Sequence, residues 1–158
     1  MVRVQQRSTT EWRRTMQAGE VRRTHVLIED PEAVVFDDYA RFRAHGFETA
    51  VCTGPSCGAC PLLHGASCRL LDEADILLTT IDLRDPNSRS VLRTIRSRHP
   101  EVPVVVRVAG RVAQHGFGKD ELLDGCEVIV PGAGFIDQVG ALRRALARWS
   151  DAWGMAVG

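Results

Sequence analysis

Four of the five cysteines of this chain, Cys52, Cys57, Cys60 and Cys68, fall within "CTGPSCGACPLLHGASC", residues 52–68, together with His64. Their spacing is C-x4-C-x2-C-x7-C. Cys57 and Cys60 form a chelating unit, because two thiolates three positions apart reach one ion through a tight turn, and Gly58 lets the backbone fold around it. Cys52 and Cys68 complete a four-thiolate shell of the kind Zn²⁺ takes in structural sites, with His64 as a substitute ligand. An iron–sulfur cluster is the second expectation. C-x4-C-x2-C matches the first three ligands of plant-type ferredoxins and Cys60-Pro61 the Cys-Pro of bacterial ones, but neither has its fourth cysteine at Cys68. A reversible disulfide among the same thiols, as in a thiol redox protein, and plain packing of small residues are the remaining readings. Cys126 stands alone and is assigned to core packing.

The rest of the chain must supply a frame for these thiols. A chain of 158 residues is long enough for one hydrophobic core. Apolar content of 44% and charged content of 25% are ordinary for a globular domain, and Lys+Arg balance Asp+Glu. The neutral balance argues against a nucleic-acid or membrane-surface binder. No run of apolar residues is long enough to span a membrane, and the Arg-bearing N-terminus has no apolar signal core. The expected location is cytoplasmic, where clustered thiols point to metal or redox chemistry before structural disulfides.

Residues 1–23 are polar and Arg-rich and read as an N-terminal arm or short helix, with Trp12 and Met16 on one face. A regular alternation then begins and runs over 24–153, leaving 154–158 as a tail. Short apolar runs, "THVLIED", "FETAVC", "ADILLTTIDL", "VPVVVRVAG" and "CEVIVPG", read as strands. Between them lie "PEAVVFDDYARFRAHG", with Pro31 suited to a first turn and Gly46 to a stop, and "SRSVLRTIRSRHP", with Val91, Leu92 and Ile95 facing inward. A last helix is expected from about Asp137, its stripe being Val139, Leu142, Leu146, Trp149 and Trp153. Residues 53–74 have the length of a helix, but Gly54, Pro55, Gly58, Pro61 and Gly65 break it. Before the last helix, "PGAG" could cradle an anion. Alternating strands and helices imply a three-layer, doubly wound α/β domain with a five-stranded parallel sheet, order 2-1-3-4-5, of the flavodoxin type.

This order, with Glu29 and Asp30 after the first strand and "ADILLTTIDLRDPNSRSVLRTIRSRHPEVPVVVRVAG" across strands three and four, resembles the CheY-like receiver domain of bacterial response regulators. The resemblance implies phosphoryl transfer to an aspartate ending strand three, a Mg²⁺ held by the acid pair, a hydroxyl ending strand four and a lysine ending strand five. Glu29 and Asp30 match the acid pair. At the other positions stand Thr80, Val108 and Val130. The resemblance therefore implies a degenerate receiver, or pseudo-receiver, unable to use the usual phosphorylation, with Asp30 serving as the cap of the first helix. The alternative is a phosphoacceptor at Asp82, two residues beyond Thr80 and of the same strand parity, working with Glu29, Asp30 and Mg²⁺.

The function so implied is signalling by contact with another protein of a pathway or as a homodimer, and not catalysis. The cysteine loop would be its metal- or redox-dependent element, and the last helix with Trp149 and Trp153 its contact surface.

Overall fold

The computed structural model describes residues 23–31, 35–57, 60–108, 120–130 and 132–152, the side chains of 35–37 and 56–57 excepted. The N-terminal arm, the "GRVAQHGFGK" segment, Trp153 and the C-terminal tail lie outside the described residues.

Five short runs rich in Val, Ile and Leu form the strands: β1 (His25–Glu29), β2 (Glu48–Cys52), β3 (Ile76–Ile81), β4 (Val104–Val108) and β5 (Glu127–Ile129). They make one all-parallel sheet in the order β2-β1-β3-β4-β5. The central strands β1, β3 and β4 are buried at almost every position because both faces are covered.

On one face lie α1 (Val35–Ala44) and α4 (Phe135–Ala152), which bury Phe42, Val139, Ala141, Leu142 and Ala145 against Val26, Ile28, Ile76, Leu78 and Val105. On the other lie α2 (Arg69–Asp72) and α3 (Pro86–Arg98), with Leu71, Val91, Leu92 and Ile95 against Leu27, Leu77, Ile81, Val104 and Val106. Successive strand residues thus feed two separate cores, as the pleat requires.

The helix ends follow from side-chain chemistry. The Asp85 carboxylate accepts from the N–H groups of Asn87 and Ser88 and from the Ser88 hydroxyl, with Pro86 in the first turn. Gly46, at φ 89°, turns the chain out of α1, as its type suggests. The last helix begins at Phe135, two residues before the expected start, because Asp137 sits in its first turn and reaches back to accept from the Gly134 N–H. That same bond gives the Gly134 amide of "PGAG" an internal carboxylate.

Glycine and proline have the expected effect between β2 and β3. In place of a long helix the chain makes two 3₁₀ turns, Gly54–Cys57 and Pro61–His64, then the single turn of α2. The loop is tied down by buried Leu62 and Leu71 and by a bond from Arg98 to the Gly65 carbonyl. Cys126 enters β5 half-buried beside Leu122 and packs against the core, at the edge of the sheet opposite β2.

Replacing Asp85 by Ala removes the cap of α3, and urea unfolding should report a loss of about 1 kcal/mol.

Candidate functional site

The parallel register fixes what meets at the carboxyl end of the sheet. Glu29 stands opposite Cys52 on one side and Thr79 on the other, and Thr79 in turn opposite Val106. One residue further along, Thr80 stands opposite Arg107, and the Asp30 amide continues the ladder to the Cys52 carbonyl. Neighbouring rows of a pleated sheet face opposite ways. The row of Cys52, Glu29 and Thr79 therefore faces the α2/α3 layer, and the row of Thr80 and Arg107 faces the α1/α4 layer.

Arg107 lies within the run "VVVRV" of β4 and is 15% exposed. A guanidinium so placed needs partners, since burying an unpaired charge costs several kcal/mol. It has four. Nε donates to Thr80 Oγ1 at 3.0 Å, Nη1 to Asp38 Oδ2 at 3.0 Å and Gln138 Oε1 at 3.3 Å, and Nη2 to Asp30 Oδ2 at 3.1 Å. The two carboxylates come from the end of β1 and from α1, the amide from α4 and the hydroxyl from β3. The planar fork of arginine suits this divergent set, whereas a lysine would offer a single point charge.

Asp30 thus gives an oxygen to Arg107, a role beyond the helix cap expected of it. Asp82 lies just past the end of β3, where the backbone N–H and the guanidinium of Arg84 bind both its oxygens. Those bonds hold its carboxyl below the usual range. The register, with Thr80 opposite Arg107, keeps Thr80 and not Asp82 in the last paired row of that face.

Glu29 is the other half of the expected acid pair, but it does not join Asp30. Only 8% of it is exposed. Burial pushes its carboxyl up to about 7, opposed by a hydrogen bond from the Thr79 hydroxyl. A Mg²⁺ bound by both acids does not fit this arrangement. Glu29 faces the thiol side of the sheet, and the position beside Asp30 and Thr80 is filled by a guanidinium.

Three of the four candidate metal ligands lie on the same side of the sheet as Glu29. Cys52 ends β2, Cys60 precedes the Pro61–His64 turn, and Cys68 precedes α2. All three are half-buried against the same core cluster and free of disulfides. Burial pushes the Cys52 thiol up to about 12, helped by the charges of Glu29, Cys68 and Cys60 and opposed by the Gly54 N–H. Burial likewise raises Cys60, where Glu29 and Cys68 again add repulsion. The side chain of Cys57 lies outside the described residues. Among the described residues, no three acidic, thiol or imidazole groups stand close enough together to hold an ion as they are. His64 is exposed at the end of its turn.

Sequence reasoning found the thiols and both acids but missed Arg107, Asp38 and Gln138. The signal was present: an arginine inside a strand otherwise made of valine demands a buried partner.

Elsewhere, a groove of about 440 Å³ lies beside the last turns of α4, bordered by Val102, Val104, Cys126, Ala145 and Trp149. No helix among the described residues is long and apolar enough to cross a membrane.

The fold is that of response-regulator receiver domains. A receiver domain from Clostridium thermocellum is 16% identical, with a TM-score of 0.59 over 79% of this chain and 95% of that one. A CheY-like receiver from Methanospirillum hungatei is 12% identical, with a TM-score of 0.57 over 83% and 99%. A receiver protein from Sinorhizobium medicae is 17% identical, with a TM-score of 0.55 over 82% and 99%. No protein-family model matches the sequence, and no curated protein matches it.

Two outcomes follow from these geometries. Arg107→Met leaves Asp30 and Asp38 without their shared cation, and urea unfolding should show a loss of about 3 kcal/mol. Glu29 has a folded pKa near 7, above its unfolded value of 4.5, so its burial costs stability as pH rises between those values. Glu29→Gln should therefore gain on the wild type by up to about 3 kcal/mol between pH 4.5 and pH 8, measured on chelator-treated protein.

Proposed function

We propose that this chain is a pseudo-receiver: a signalling module that works by protein contact and does not take up a phosphoryl group at the usual place. The observation that carries this reading is the Arg107 network. In a phosphorylated receiver, positive charge from a metal and a lysine stabilises a phosphoryl group carried by an aspartate. Here a guanidinium is already fixed between Asp30 and Asp38, and it hydrogen-bonds Thr80 where the aspartate would stand. A threonine hydroxyl is a weak nucleophile without a base to activate it, and both carboxylates near this one are ion-paired.

The receiver fold of the solved structures supports a regulatory role, and the partner is another signalling protein or a second copy of the chain. We place the contact surface on α4 and the groove beside Trp149. The cysteine segment that replaces the usual helix after β2 is the metal- or redox-responsive element of the module. Burial raises the thiols of Cys52 and Cys60, which disfavours either as an attacking thiolate.

Incubation with a small phosphodonor and Mg²⁺, followed by intact mass measurement, should give no adduct. An adduct that disappears in Asp82→Asn would contradict the reading and restore Asp82 as acceptor.

A further inference from the structure

We propose that the open edge of β2 pairs with the same edge of a second copy of this chain, so that one sheet runs through a symmetric dimer. This edge lies across the sheet from β5 and the groove beside Trp149, so the reading of α4 as a contact surface stands or falls without it.

The ladder shows which way the main chain of β2 points. The Glu48 N–H donates to the Thr24 carbonyl, and the Cys52 carbonyl accepts from the Asp30 N–H. Glu48, Ala50 and Cys52 therefore turn their main-chain groups toward β1, and Thr49 and Val51 turn theirs outward. β2 ends the sheet, and among the described residues no hydrogen bond reaches the N–H or the carbonyl of Thr49 or Val51.

The two edges of the sheet differ in how they are guarded. β5 has only three residues, its Glu127 is clasped by Arg144 and Arg148, and Pro131 follows in the sequence. Short length, charge and proline are the usual protections of an edge. The sequence of β2 carries none of them. It has five residues in unbroken register, without proline, lysine or arginine, and its one charge, Glu48, stands at the start. Beside it Leu70, 37% exposed, borders a hollow of about 100 Å³ together with Thr49, Ala50 and Ala74. This edge therefore offers both unpaired main-chain groups and an uncovered apolar side chain.

The occupant that fits is β2 itself. Turned about a two-fold axis that passes through Ala50 normal to the sheet, the strand meets its copy antiparallel. Each Thr49 then lies opposite the partner's Val51, and the two exchange N–H···O bonds in both directions. Ala50 meets its own copy in the non-bonded row, where Cα atoms approach to about 4.5 Å and a methyl side chain is easily held. Glu48 falls opposite the partner's Cys52, so no like charges stand face to face. The axis keeps each face on its own side. Val51 stays with the α1/α4 core and Ala50 with the α2/α3 core, where the two Leu70 side chains flank the Ala50 pair. A small residue on the axis with β-branched Thr49 and Val51 on either side makes the strand self-complementary, which selects a second copy over a foreign strand. Such a pair uses both open edges and closes at the dimer.

The test uses the full chain in a dilution series, with sedimentation velocity for the mass and amide hydrogen exchange, read by nuclear magnetic resonance, for the site. The proposal expects a dimer that dissociates on dilution. In the dimer the Thr49 and Val51 amides are protected as Ala50 is, and in the monomer both lose that protection while Ala50 keeps it. Val51→Pro removes one outward N–H at an edge position where proline is tolerated. It should be monomeric with the far-ultraviolet circular dichroism of the wild type. A chain that is monomeric at every concentration would overturn the proposal. So would a dimer whose Thr49 and Val51 amides exchange freely, since that dimer forms elsewhere. Protection of both amides in the monomer would give the edge to another part of the same chain and overturn it as well. The exchange pattern of the wild type decides even if Val51→Pro fails to fold.

Discussion

At the carboxyl end of β1 two adjacent acids must point to opposite faces of a pleated sheet, and the remaining chemistry of the molecule divides along that line. Glu29 goes to the side of Cys52 and Thr79, and Asp30 to the side of Thr80 and Arg107. Parallel pairing extends each choice across the sheet, because residues in register share a face. A shift of one strand by a single residue would exchange the two sets. The buried apolar positions on both faces of β1, β3 and β4 forbid that shift, so the packing of the two cores also fixes the two sites.

The two sites handle buried negative charge in different ways. On the α1/α4 side the chain carries its own cation, and Arg107 joins β4 to β3, α1, α4 and the end of β1 in one hydrogen-bonded network. Such a network has little freedom to exchange ligands without unfolding its surroundings, since removing either charge strands the other. On the α2/α3 side the acidic groups belong to a strand end and to short turns, held by a few anchors such as Leu62 and Leu71. Elements of this kind open at low free-energy cost. An arginine-centred network and a corner of half-buried thiols thus lie back to back across a single sheet.

Much of the architecture was legible in the order of short apolar runs and periodic segments, because strands buried on both faces and helices with one apolar stripe leave distinct patterns. The breaking of the segment after β2 could be read from Gly54, Pro55, Pro61 and Gly65, whose backbone restrictions act locally. The start of α4 was misplaced by two residues because Asp137 caps from inside the helix. Arg107 was overlooked because its partners, Asp30, Asp38, Thr80 and Gln138, are 27 to 77 residues distant in sequence and no local pattern joins them. Glu29 and Asp30 looked like one pair for the converse reason: adjacency in sequence hides opposite orientation in a strand.

The central claim is that Arg107 fills the place a receiver gives to its metal. The most direct measurement is a Mg²⁺ titration followed by nuclear magnetic resonance at the backbone amides of Asp30 and Thr80. The account predicts no saturable shift at either amide and an Arg107 Nε–H signal that persists unchanged. Saturable shifts at both amides, with loss of the Arg107 signal, would contradict it.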